Sequence, residues 1–198
     1  MIEFTVYPED SGWEEAHIVI NGDRYDFDIS YIGDTFFELI RAAAGLLGTP
    51  PYEVCSGLDM CADGKVTKFS WDQEGPGLVN WTLKKPQTTA ADFKLQLELE
   101  LEDEHEQHFY EVDFREFCYA LAKCFTEVLK HTGICGYDDA LQLNVGGTKI
   151  DFKDFIYVKA FALNRSDEFM TSYVTDERGT DRAYSNFARE IELIMQDM

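Results

Sequence analysis

The chain has 198 residues, of which 38 are acidic and 17 basic, for a formal net charge of −21. Hydrophobic residues make up 45% and aromatics 14%, which supplies a core and excludes a disordered chain despite the charge. Such a charge repels nucleic acid and anionic membranes and attracts cations and basic proteins, with plain solubility as the competing explanation.

The segment Met1–Tyr7 has no basic region leading into an apolar run, so it does not read as a signal peptide. No window approaches the ~18 consecutive apolar residues of a membrane span. A cytoplasmic protein with no membrane segment is expected. The five cysteines are an odd number and sit mostly in apolar patterns, so they read as reduced thiols and not as a disulfide framework.

Ile2 to Tyr7 alternates apolar and polar residues and predicts a strand. Ala16 to Ile20 and Arg24 to Ile29 flank Asn21-Gly22, whose positive φ angles suit a tight hairpin turn. Thr35 and Glu38 fit a capping box, opening a largely apolar helix to about Leu47 that Gly48-Thr49-Pro50-Pro51 stops. Residues 52–64 give no clear pattern. Lys65 to Asp72 and Leu78 to Lys84 read as a hairpin around Glu74-Gly75-Pro76-Gly77.

Next comes Phe93 to Glu102, with leucine at every second position and Lys94, Gln96, Glu98, Glu100 and Glu102 between. That period predicts a strand with Leu95, Leu97, Leu99 and Leu101 buried and the glutamates in solvent. Asp103-Glu104-His105-Glu106 reads as its turn, and Phe109 to Val112 pairs back. Asp113 then caps a long helix whose apolar face is Phe114, Phe117, Cys118, Leu121, Phe125, Val128 and Leu129, ending at His131-Thr132-Gly133. Val112–Phe117 matches Ile150–Phe155 in residue type at every position, so Asp151 is expected to cap another helix from about Phe152 to Leu163. A strand is the rival there, since Tyr157 and Val158 favour one. Ser166 to Thr180 reads as a loop or short strand, and Tyr184, Phe187, Ile191 and Ile194 as the apolar face of a last helix. The expected fold is α+β: an antiparallel sheet of hairpins with amphipathic helices on one face, in one domain spanning 1–198. The alternative division is two lobes, 1–90 and 91–198.

No catalytic motif emerges. Cys55, Cys61, His105, His108, Cys118 and Cys124 lack the close paired spacing of a structural zinc site. There is no nucleophile elbow. Gly146-Gly147 and Gly75-Pro76-Gly77 lack a phosphate-loop lysine and read as turns. Neither a catalytic residue, a metal ligand nor a cofactor site is assigned. What remains is Ala91–Glu116, where ten acidic and two basic residues give a local charge of −8 in 26 positions. Self-repulsion there costs stability, so a basic protein partner is a physical reason for such a stretch. The candidate partner-binding residues are Glu98, Glu100, Glu102, Asp103, Glu104 and Glu106. Trp13, Trp71 and Trp81 are secondary candidates as aromatic anchors, with the core as their competing place.

A small acidic α+β chain without catalytic residues resembles the immunity proteins of bacterial polymorphic-toxin and contact-dependent inhibition systems. The resemblance lies in the Trp71–Trp81 hairpin followed by alternating Leu/Glu, and in the strand-to-helix step Val112-Asp113-Phe114. It covers residues 65–130 and carries no binding residue over. It implies a non-catalytic inhibitor of a basic toxin domain, such as a nuclease, whose acidic surface steers encounter and covers the site that meets phosphates. The alternatives are a phage-type DNA mimic that inhibits a nuclease, an enzyme or ligand-binding domain with an unrecognised site, and an adaptor domain without such a partner. No direct nucleic-acid contact is expected.

Overall fold

The computed structural model describes residues 1–8, 13–30, 35–48, 59–60, 66–72, 77–90, 92–102, 105–142, 152–169, 172–175 and 181–198; at residues 8, 13–14, 30, 35, 59–60, 72, 134–142, 172–175 and 181–184 it describes the backbone alone. The fold is α+β. Strands β1 (Ile2–Pro8), β2 (Trp13–Ile20) and β3 (Asp23–Ser30) form an antiparallel sheet in that order. The β2–β3 turn has Asn21 at φ 54 and Gly22 at φ 104, the pair of positive angles its sequence called for. A second antiparallel sheet runs in the order β4 (Asp59–Met60), β5 (Val66–Asp72), β6 (Leu78–Lys84), β7 (Lys94–Leu101), β8 (Glu106–Asp113). β9 (Ser172–Thr175) and β10 (Asp181–Tyr184) pair separately.

Four helices complete the chain: α1 (Thr35–Leu46), α2 (Phe114–Gln142), α3 (Phe152–Ala162) and α4 (Phe187–Met195). The Asp113 carboxylate accepts from the Arg115 and Glu116 amides at 3.0 and 3.1 Å and caps α2, as expected. Gly133 (φ 70, ψ 167) occupies a region open in practice to glycine alone and breaks α2 where the sequence predicts a stop, after which helix resumes to Gln142. Residues from Phe152 are helical, which decides against the rival strand; the cap at Asp151 lies outside the described residues.

The inner faces of both sheets meet the helices in one aromatic core. Phe4 packs edge-on to Phe36 and Phe117, and Phe125 lies against Phe36, Phe37 and Phe155. Phe27 of the first sheet meets Trp71 of the second, which lies tilted against Trp81 with ring centres 4.8 Å apart. β6 and β7, on either side of residue 90, are hydrogen-bonded neighbours, and the buried cluster runs through both halves of the chain. The sheets are further tied by Tyr110, whose hydroxyl donates to Asp23 at 2.8 Å and meets the Tyr25 hydroxyl. Burial raises both tyrosines above their usual range, so the strut is neutral.

The last helix forms and buries Ile194 as expected, but the rest of its expected face is not the buried one. Tyr184 belongs to β10, Phe187 and Ile191 are exposed, and Leu193 and Ile194 are the residues buried. α4 docks by its C-terminal turn, where Lys159 holds the carbonyls of Ile194 and Gln196.

Candidate functional site

The site is built on β7. Its leucines bury as the period-2 pattern dictates: Leu95, Leu97 and Leu99 are within 1% of full burial and Leu101 is 7% exposed. That fixes the opposite face. Neighbouring strands align Thr82 with Glu98 and Phe109, and Asn80 with Glu100 and Gln107, as cross-strand rows on the outer surface. Glu98 and Glu100 are half-buried among these neighbours and Glu102, just past the strand, is exposed. The glutamates are therefore less free than their sequence pattern suggests.

Their hydrogen-bond partners are neutral. The Asn80 amide donates to Glu100 at 3.2 Å and to Glu102 at 3.1 Å, and the Gln107 amide donates to the other Glu100 oxygen at 3.2 Å. Among the described residues no cation pairs with Glu98, Glu100 or Glu102. Elsewhere the chain behaves differently: Asp26, Glu168 and Asp197 are each lowered below the carboxylate range, chiefly by a hydrogen bond from Arg24, Arg165 and Lys130 respectively. The outer face thus retains its negative charge while the amides fix where the carboxylates point. Between Glu100, Leu101, Glu102, His105 and Gln107 lies an open concavity of about 420 Å³. His105 takes φ 53 to turn the chain there. Two carboxylates beside a concavity can accept the planar donor fork of an arginine or an ammonium.

The predicted residues do not all gather here. Asp103 and Glu104 lie outside the described residues. Glu106 is not in the turn; it opens β8 opposite Leu101, in the inward-facing phase with His108, Tyr110 and Val112. Its carboxylate is 3.2 Å from His108 Nε2, though not aligned for a hydrogen bond. Glu106 therefore leans to the other side of the sheet from Glu98, Glu100 and Glu102. Trp71 and Trp81 are 0% and 1% exposed and belong to the core, not to a surface; the Trp13 side chain is not among those described.

The aromatic that does reach the surface is Phe109, 68% exposed on the edge strand β8 and opposite Glu98. Its signal was present in the sequence. Val112 faces the core, so the strand period puts Phe109 outward with Glu111. The outer face is not uniformly acidic: Lys68 is exposed in the Glu98 row, across Thr82, and Lys84 and Lys94 are exposed in the same strand phase toward the other end.

Other chemistry-bearing groups are accounted for by packing. Cys118 is fully buried in α2 and its thiol is pushed well above the usual range by that burial, which removes the thiolate a nucleophile needs. Among the described residues no group of three or more His, Cys, Asp or Glu is arranged to hold a metal ion. Nor, among them, is any helix long and apolar enough to cross a membrane. No family model, no curated protein and no solved structure matches the chain.

Proposed function

We propose that this chain is a non-catalytic, cytoplasmic binding protein of the immunity type, which neutralises a toxin domain by seating it on the outer face of β7 and β8. The observation that carries the reading is the row Glu98, Glu100 and Glu102, held by the Asn80 and Gln107 amides and left without a cation among the described residues. Carboxylates spaced about 7 Å apart on a strand anchored by buried leucines lose little entropy when a basic surface docks. Phe109, opposite Glu98 on the edge strand, supplies an aromatic anchor beside the carboxylates. A toxin that handles phosphates carries arginines and lysines at its active site, and these are the groups the concavity by Glu100 and Glu102 accepts.

The nucleic-acid mimic fits less well. Glu98 to Glu102 spans about 14 Å of strand, with Lys68 already in the Glu98 row and Lys84 and Lys94 interrupting the face beyond it. A duplex presents one charge per ~1.7 Å of its axis.

The test is affinity capture from the source cell with the wild-type protein and with a Glu98→Lys/Glu100→Lys/Glu102→Lys variant. The expected result is a basic protein retained by wild type and depleted at least about tenfold on the variant, because like charges now oppose one another. Retention of an acidic protein, or equal retention on both, contradicts the proposal.

A further inference from the structure

A second surface shares no residue with the acidic face. Among the described residues β1 is an edge strand, paired with β2 alone. The Asn21 amide donates to the Met1 carbonyl at 2.9 Å, which makes the pair next to Ile2↔Ile20 a hydrogen-bonded one. In an antiparallel ladder these pairs alternate. Glu3, Thr5 and Tyr7 are thus bonded to β2, and the amides and carbonyls of Ile2, Phe4 and Val6 turn to the open side. On that side lies a groove of about 680 Å³, bounded by Ile2–Tyr7 and by the α2 surface from Tyr119 to His131.

The open edge selects the occupant. Five strand steps run about 17 Å and twelve helix steps about 18 Å, so the two walls match in length. The amides and carbonyls of Ile2, Phe4 and Val6 can pair with an extended backbone, whereas a helix has its own amides and carbonyls already paired.

Side chains narrow the choice further. Ala120, Cys124 and Val128 present buried apolar surface along the α2 wall. Of the charged groups in the groove, Glu127 is held by Lys130 at 2.8 Å, while Glu3 on the strand wall and exposed Lys123 on the helix wall have no ion-pair partner among the described residues. Along the helix wall Lys123 is the group left for a carboxylate to meet.

We infer that the groove between β1 and α2 binds an extended segment of a partner polypeptide, which adds a strand to the β1 edge. The segment pairs its backbone with Ile2, Phe4 and Val6, lays alternate apolar side chains over Ala120, Cys124 and Val128, and meets Lys123 with a carboxylate. The probe is a library of hexapeptides blocked at both ends, with valine or isoleucine at alternate positions and either an acidic or a basic residue between. Binding is read by amide chemical shifts on the full chain. Acidic members are expected to bind and to move the amides of Ile2, Phe4 and Val6. N-methylation of the peptide's pairing amides is expected to weaken binding by about tenfold or more. Lys123→Glu, a substitution at an exposed site, is expected to reverse the preference to basic members. The inference is overturned if no member binds, if N-methylated peptides bind equally, if the shifts fall away from β1 and α2, or if Lys123→Glu leaves the acidic preference unchanged.

Discussion

Lys159 is the residue where local physics departs most from its sequence. It sits in the apolar run Tyr157-Val158-Lys159-Ala160-Phe161, is fully buried, and donates to Thr126 at 2.9 Å and to the carbonyls of Ile194 and Gln196 at 3.1 and 2.6 Å. Three acceptors satisfy its three donors, and the two carbonyls are those left open at the end of α4. Burial, helped by nearby Lys130, lowers its pKa to about 8. In the unfolded chain a lysine titrates near ~10.4. Below pH 8 both states carry the proton and burial of the charge costs on the order of 3 kcal/mol. Between pH 8 and 10.5 the unfolded state binds more protons, so this cost is relieved as pH rises. Denaturation of wild type and Lys159→Met across that window is expected to show wild type gaining on the variant by on the order of 3 kcal/mol. Parallel pH curves would refute the assignment. None of this was legible in the sequence, because the acceptors that make the burial tolerable come from a helix 35 residues away.

At the scale of the element, β7 carries both fold and site, and its two faces should separate cleanly. Leu99→Ala removes a fully buried side chain opposite Trp81, with an expected loss of roughly 2–5 kcal/mol. Glu100→Gln keeps the shape on the outer face and should change stability by less than about 0.5 kcal/mol. Equilibrium unfolding of both variants checks this, and a Glu100 variant as damaging as Leu99→Ala would mean the carboxylate row is structural. The strand was readable because a strict period of two admits one reading. The same rule places Phe109 outward and Glu106 inward, but only once the phase of β8 is anchored on Val112, which reading Glu106 as part of the turn obscured. The face of α4, Ile194 apart, was misread for a different reason. Its apolar residues cover more than one face, and the choice between them was made by the Lys159 contacts and by packing of Leu193 with Ala160 and Phe169. Gly133 was legible as a stop, yet nothing local showed that the helix would resume beyond it.

For the whole molecule, a charge of −21 sets a long-range field that favours encounter with a basic protein and disfavours nucleic acid. Composition revealed that field, and the hairpin pattern revealed the α+β class. How the two sheets share a core was not legible, because Phe27, Trp71, Tyr25 and Tyr110 meet across long stretches of sequence. The central claim is that the field is focused at Glu98, Glu100 and Glu102 to receive a basic partner. Its most direct test is the association rate of the captured partner with wild type and with the triple lysine variant, across ionic strengths from about 0.01 to 0.3 M, where the screening length falls from ~30 Å to below 8 Å. The account predicts a wild-type rate that drops steeply with salt, and a variant that is about tenfold or more slower at low salt with a flatter dependence. A variant that associates at the wild-type rate with the wild-type salt dependence would contradict it.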